Sequence, residues 1–160
     1  MALGAELAPA LVPGLAEGGH NLFTMEGATG IRDALMRMSR GRVIVLTATP
    51  AYKCPAAPYE AAMLIDGLLR RRGVRDSVNV DMYAAEPGPM GVAGPAVTAA
   101  VRGLLESKAV GYFPAHQVKR VDGALRRVEF SNGATADYDL LVYVPPHRAP
   151  AAIVESGLSG

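Results

Sequence analysis

The order of apolar segments limits the fold of this chain more than any other feature of its sequence. A β-rich run at residues 43–48 precedes a helical pattern at 58–72, and the alternating run Val78–Tyr83 precedes a second helical pattern at 96–107. Strands that alternate with helices pack as a parallel sheet covered by helices. We therefore predict an α/β fold, a small doubly wound (Rossmann-like) parallel sheet with helices on both faces.

Further patterns extend this layer. Residues 28–39 have helical spacing, and residues 111–113 form a short strand pattern. Residues 118–137 have the alternation of an antiparallel ribbon that turns at "DGA" and "NG", while "YDLLVYVPP" is typical of a buried parallel strand. The inward stripe of the helix at 58–72 is predicted to be Ala61, Leu64, Ile65, Leu68 and Leu69. The sheet is therefore expected to carry an added antiparallel β-ribbon.

Composition narrows the function classes. The 160 residues are long enough to bury one core, and a net charge of +1 does not indicate a nucleic-acid or membrane-surface partner. A single cysteine excludes an internal disulfide, and Cys and His are too few and too scattered for a structural zinc site. No apolar run reaches the roughly 18–20 residues that span a bilayer, and no signal peptide is evident. No metal site is predicted, and the compartment stays unassigned.

The turn after the first predicted strand, "TPAYKCPAAPYE" at residues 49–60, lacks the residues of a nucleotide site. Ligands of such sheets bind outside the carboxyl ends of the strands, where a dinucleotide needs glycines and free N–H groups. Pro50, Pro55 and Pro58 remove donors and stiffen the loop. We therefore interpret the chain as a nucleotide fold whose nucleotide site has been lost, and Asp81 in the second strand is not expected to bind a ribose.

Cys54, the only cysteine, lies in this turn with Lys53 beside it and a helix N-terminus a few residues later. A neighbouring cation and a helix N-terminus both stabilise thiolate relative to thiol, which favours nucleophilic or redox chemistry. Free cysteines are also often buried core residues, so an inert structural role is the alternative. We expect Cys54 to be solvent-accessible, because the loop lies on the ligand side of the sheet.

Three stretches resemble a known family. "KCPAAPYEAA", "EPGPMGVAGP" and "YDLLVYVPPHRAP" are similar to the sulfide:quinone oxidoreductase and flavocytochrome c sulfide dehydrogenase group of the FAD-dependent pyridine nucleotide-disulfide oxidoreductase superfamily. The Cys-Pro-x-x-Pro-Tyr-Glu stretch is the most specific part. In that group the second, NAD-like domain keeps the nucleotide fold, electrons come from sulfide, and the corner cysteine helps form a redox pair at the flavin. Cys54 matches that cysteine.

The resemblance also implies site residues. Cys54 and Glu60 are predicted to be catalytic. Contacts with the cofactor FAD are predicted for Leu3, Gly4, Ala5, Lys53, Pro55, Tyr59, Pro146 and His147. His147 would in addition carry protons. The alternatives are an ordinary helix start for Tyr59 and Glu60, and a plain strand-terminating loop for "PPHRAP".

The resemblance further implies a division of the chain. "ALGAE" is similar to the segment that leads from an FAD domain into the second domain, and no GxGxxG turn for FAD occurs in this sequence. Residues 1–26 are therefore predicted to be a connector from a missing FAD domain, 27–150 the NAD-like domain, and 151–160 a connector back. Such an excised domain is expected to retain no FAD, and the partner cysteine and any membrane-contacting segment would lie elsewhere in the parent protein.

Two function classes follow from these observations. The first is a fragment of an enzyme that oxidises sulfide or a related sulfur compound through a redox cysteine and passes electrons through FAD to a quinone or cytochrome. The parent protein would be active, at the cytoplasmic or periplasmic face of a bacterial membrane, and the fragment alone inactive. The second class is a non-catalytic docking module with an inert Cys54. An NAD(P)H-dependent flavin reductase is a further alternative, which the proline-filled turn opposes.

Overall fold

A five-stranded parallel sheet forms the centre of the structure, a computed structural model that describes residues 4–156. The helices and strands in chain order are β1 (Glu6–Leu7), α1 (Leu15–Gly18), β2 (His20–Asn21), α2 (Met25–Arg37), β3 (Gly41–Thr47), α3 (Ala57–Arg71), β4 (Val78–Tyr83), α4 (Pro95–Ser107), β5 (Gly111–Phe113), β6 (Val118–Asp122), β7 (Arg127–Phe130), β8 (Thr135–Asp137), β9 (Leu140–Val144), β10 (His147–Arg148) and α5 (Ala151–Glu155). Short 3-10 helices occur at Pro9–Leu11, Arg75–Ser77 and Gly91–Ala93. The strand order is β2-β9-β3-β4-β5, with every neighbouring pair parallel.

The two faces of this sheet are covered by different elements. Side chains of β3 alternate between the faces, as in any strand. Val43 and Val45 point into a core shared with α2, α3 and α4. Ile44 and Leu46 point to the opposite face, where α1 and the antiparallel sheet β6-β7-β8 pack, with Phe130 buried between the layers. The predicted α/β fold with an added β-ribbon is confirmed.

Helix α3 begins and ends close to the residues that the sequence indicated. Pro58 occupies its first turn, and Gly73 follows its end with a positive φ of 68°, which glycine adopts without strain. Ile65 and Leu69 are buried, but Leu64 is 72% exposed, so its place in the predicted inward stripe is wrong. Because α2 and α3 do not meet over this part of the sheet, Leu64 lines an open groove between them.

The described segment before α2 contains only short elements. One of them, β2, nevertheless pairs with the buried strand β9 and adds an edge strand that the sequence did not reveal. Strand β1 pairs antiparallel with β10, and Arg148 forms a 2.9 Å ion pair with Glu6. This pairing holds the first described residues beside the segment that follows β9. No helix within residues 4–156 has the length and apolar character needed to cross a membrane.

A buried carboxylate holds α3 to the segments around it. The Asp66 side chain is fully buried and accepts hydrogen bonds from Arg70 Nε at 2.9 Å and from Arg75 Nε at 2.6 Å. Arg75 also donates to the carbonyls of Val78 and Lys108. Burial alone raises the pKa of Asp66, but the hydrogen bonds from Arg70 and Arg75 outweigh it, so the pKa lies below its ordinary value.

Candidate functional site

The candidate residues meet at the carboxyl edge of the parallel sheet. Three connections converge there, after β3 (residues 48–56), after β4 (84–94) and after β9 (145–146). The N–H of Ala8 donates to Pro146 O at 2.8 Å, which brings the first described residues to the same edge. Open α/β sheets bind their ligands at this edge because the loops there are free to vary over a rigid scaffold.

Cys54 is exposed in the connection after β3, as predicted. Its φ of 56° is unusual for a residue with a side chain, and its carbonyl accepts a 3.0 Å hydrogen bond from Ala57 N–H at the start of α3. The ammonium of Lys53 lies over the Phe23 ring, 5.7 Å from its centroid. The thiol is therefore accessible beside a helix N-terminus, while the neighbouring cation contacts an aromatic ring.

Four of the predicted cofactor contacts line one pocket of about 370 Å³, which we call the His147 pocket. Its walls include Gly4, Ala5, Lys53, His147, Arg148 and Tyr52. Of the other predicted contacts, Pro55 and Pro146 lie outside this pocket, Tyr59 is buried beneath the loop, and Leu3 lies outside the described residues. The segment before β1 and the residues after β9 thus meet at one pocket.

His147, which lines this pocket, has one ring nitrogen without a hydrogen-bond partner among the described residues. Its Nδ1 lies 2.9 Å from the carbonyl oxygen of Pro145, and because a carbonyl only accepts, Nδ1 carries the proton. In the neutral ring Nε2 is then an unprotonated acceptor. This atom is buried and has no hydrogen-bond partner among the described residues. Nε2 is therefore an enclosed acceptor with almost no surface open to a ligand in this conformation.

Glu86 is a functional candidate that the sequence did not single out. It follows β4, is 8% exposed, and accepts hydrogen bonds from three hydroxyls: Thr47 Oγ1 at 2.7 Å, Tyr52 OH at 2.5 Å and Tyr59 OH at 2.6 Å. Tyr52 and Tyr59 stand on either side of Cys54 in the sequence and share one carboxylate oxygen. The Cys54 loop is therefore fixed at both ends to the residue that follows β4.

The two tyrosines remain hydrogen-bond donors at ordinary pH. Burial raises the pKa of Tyr52 and of Tyr59, and the hydrogen bond to Glu86 raises both further. The ring of Tyr112 lies 6.3 Å from that of Tyr59, and its buried hydroxyl has no hydrogen-bond partner in the described part of the chain.

Two other acids are not part of this cluster. Glu60, predicted to be catalytic, is exposed in the first turn of α3, and its side chain makes no hydrogen bond or ion pair with any residue in 4–156. Asp81 lies within β4 and pairs with Arg42 at 3.2 Å. The sequence feature that could have identified Glu86 is an acid shortly after the second predicted strand, in "YAAEPGP".

No group of His, Cys, Asp and Glu that could hold a metal occurs among the described residues.

Replacement of Tyr59 by Phe tests the hydroxyl cluster. We expect Tyr59→Phe to lower the free energy of unfolding by about 1–3 kcal/mol, because the buried carboxylate of Glu86 loses a donor. Tyr143→Phe is the matched control, since Tyr143 is also buried but its hydroxyl has no hydrogen-bond partner in the described chain. This replacement is expected to lower the free energy of unfolding by about 0.5 kcal/mol or less. Urea unfolding measures both, and equal losses would contradict a special role for the Tyr59 hydroxyl.

Comparison with known proteins gives both a sequence match and a shared fold. No family model matches the chain. The chain is 27% identical to the mitochondrial sulfide:quinone oxidoreductase of Dictyostelium discoideum over 123 residues. This match covers 74% of this chain and 27% of the relative. The chain thus spans about a quarter of the length of this curated relative.

Solved structures share its fold. The sulfide:quinone oxidoreductase of Aquifex aeolicus superposes with a TM-score of 0.76 at 23% identity, covering 96% of this chain and 37% of that one. An NAD-dependent persulfide reductase from A. fulgidus gives a TM-score of 0.70 at 17% identity, over 96% of this chain and 26% of that one. A ferredoxin reductase from Rhodopseudomonas palustris superposes with a TM-score of 0.72 at 17% identity. The match covers 97% of this chain and 36% of that one. The predicted resemblance is confirmed: the chain is similar in sequence to the sulfide:quinone oxidoreductase of D. discoideum and shares the fold of the one from A. aeolicus.

Proposed function

We propose that this chain is the domain of an FAD-dependent oxidoreductase in which Cys54 takes sulfur from sulfide or a related reduced sulfur compound. The observation that supports this most strongly is the position of Cys54, exposed at the carboxyl edge of the sheet and held there by Tyr52 and Tyr59. Its sequence context, Cys-Pro-x-x-Pro-Tyr-Glu, resembles that of the sulfide:quinone oxidoreductase group. In this proposal the electrons leave through FAD to a quinone or a cytochrome.

The His147 pocket fits contact with one edge of a flavin. It is lined by the two cations Lys53 and Arg148 and by His147. FAD, when bound, supplies the oxidant for the sulfur chemistry. At about 370 Å³ the pocket holds only part of a dinucleotide, so we propose that a further domain supplies the remaining contacts. Residues 1–26 and 151–160 are then the connectors to that domain, and 27–150 the NAD-like unit.

The sulfur-transfer step itself needs only Cys54. The thiolate of Cys54 attacks a sulfur atom within a polysulfide; a new S–S bond forms at Cys54 while one S–S bond of the polysulfide breaks. The shorter polysulfide, or hydrosulfide, leaves with the electron pair, so no external oxidant is consumed. The rate of such an attack depends on how accessible the cysteine is and on how much of it is thiolate. The loop makes Cys54 accessible because it exposes the residue to solvent.

Persulfide formation tests the proposal. After incubation of the folded chain with sodium polysulfide, mass spectrometry of the Cys54 peptide is expected to show added sulfur that a reducing agent removes. Cys54→Ser is the blank, and because Cys54 is the only cysteine, no other thiol contributes. If sulfur adds to glutathione under the same conditions but to Cys54 only after denaturation, the thiol is inert, and the non-catalytic docking module becomes the better account of the chain.

A further inference from the structure

A second and larger recess lies on the other side of the Cys54 loop. It occupies about 760 Å³ between residues 50–55 and 86–98, and we call it the Glu86 cleft. Its apolar walls are formed chiefly by Pro50, Pro55, Pro87, Met90, Val92 and Pro95. Pockets of about 300–1,000 Å³ with mostly apolar walls and a few fixed polar groups are typical small-molecule sites. Size and lining are therefore those of a binding site.

Glu86 is the only charged residue that lines this cleft. No Lys, Arg or His side chain in residues 4–156 forms an ion pair with it. An ionised carboxylate offers about four acceptor positions, and the hydroxyls of Thr47, Tyr52 and Tyr59 occupy three of them. One acceptor position therefore remains for a ligand, in surroundings where an unmade hydrogen bond is costly.

The same lining excludes the ligand that this fold usually binds. A pyrophosphate needs backbone N–H donors and positive potential. The prolines of the cleft have no N–H, and the Glu86 carboxylate repels anions at close range. Neutral apolar molecules meet neither obstacle, and a hydroxyl or N–H group on such a molecule would satisfy the free acceptor position.

We propose that the Glu86 cleft binds a neutral, mostly apolar small molecule, such as an aromatic alcohol, that donates one hydrogen bond to Glu86. The site is separate from the His147 pocket and does not depend on the sulfur chemistry of Cys54. Tyr52 lines both recesses, so the two sites share one wall.

Three naphthalenes of similar size test the recognition. In ¹H–¹⁵N NMR titrations of the whole chain, 2-naphthol is expected to cause saturable shifts of the Gly88, Gly91 and Gly94 amides, which line the cleft. Loss of the donor in 2-methoxynaphthalene should weaken binding about fivefold or more, as expected for a buried acceptor left without a partner. The anion 2-naphthoate should cause no saturable shift of these amides.

Filling the cleft gives an independent test that leaves Glu86 and its hydroxyl donors in place. A side chain at Gly91 meets no atom within 4 Å at its first carbon, so Gly91→Phe should be tolerated and should abolish 2-naphthol binding. Gly103→Phe is the matched control: Gly103 is equally open, exposed in α4 and outside the cleft, and its replacement should leave binding unchanged. Absence of saturable shifts with 2-naphthol, equal binding of naphthoate, or unchanged binding by Gly91→Phe would each overturn the proposal.

Discussion

Titration of the chain with NADH or NADPH is expected to give a dissociation constant of about 1 mM or weaker. A dinucleotide domain with micromolar affinity binds about 4 kcal/mol more tightly, a thousandfold difference. The start of α3 explains why the affinity for a dinucleotide is expected to be this low. Ala57 N–H donates to Cys54 O, Glu60 N–H donates to Ala56 O, and Pro58 has no N–H, so few donors are left for a pyrophosphate.

The residues around the turn lower the affinity for NADH and NADPH further. In a dinucleotide site an acid near the end of the second strand binds the ribose hydroxyls. Here Glu86 follows that strand, but Thr47, Tyr52 and Tyr59 fill three of its four acceptor positions, which leaves one for the two hydroxyls of a ribose. Calorimetric titration is the measurement. A dissociation constant of about 10 μM or tighter would contradict the expectation and support the NAD(P)H-dependent flavin reductase.

Asp66→Asn is expected to lower the free energy of unfolding by about 3–5 kcal/mol at neutral pH. Removal of one partner from a buried ion pair leaves the other charge without compensation, and Arg75, only 11% exposed, would lose its carboxylate. Urea unfolding measures the loss. Asp76→Asn is the control, because Asp76 is exposed and forms no ion pair within the described chain; a change within about 0.5 kcal/mol is expected.

The effect of Asp66 should also depend on pH. Its pKa in the folded chain lies below the ordinary 3.8, so its contribution is fully present above the ordinary pKa and is lost as the pH falls through the folded value. The stabilities of the wild-type chain and Asp66→Asn are therefore expected to converge below about pH 4. A difference that stays constant down to the acid transition would show that packing, and not charge, accounts for the loss.

The sequence predicted the regular elements well where local periodicity decides them. The strands Val78–Tyr83 and Gly111–Phe113 have the predicted bounds, because alternation and flanking turn residues mark both ends. Strand β2 was missed because its two residues carry no period, and only the neighbouring β9 makes them a strand. Leu64 was misassigned because helical spacing does not reveal where two neighbouring helices separate.

The candidate site was predictable only in part, for the same reason. Cys54 and the His147 segment lie in stretches that resemble known motifs. The Glu86 cluster joins residues 27 and 34 positions apart, and such contacts exist only after β3, β4 and α3 have packed. An acid and two tyrosines in separate segments carry no pattern that identifies a shared hydrogen-bond network.

The hydroxyl cluster also limits how Cys54 can meet its reaction partners. Tyr52 and Tyr59 precede and follow it by two and five residues, and both are tied to one carboxylate oxygen. A swing of the loop away from the sheet would break both hydrogen bonds and leave Glu86 with Thr47 as its remaining donor. Under the proposed function, Cys54 would therefore carry sulfur from a fixed position, and its donor and acceptor would each have to reach it across the open edge of the sheet.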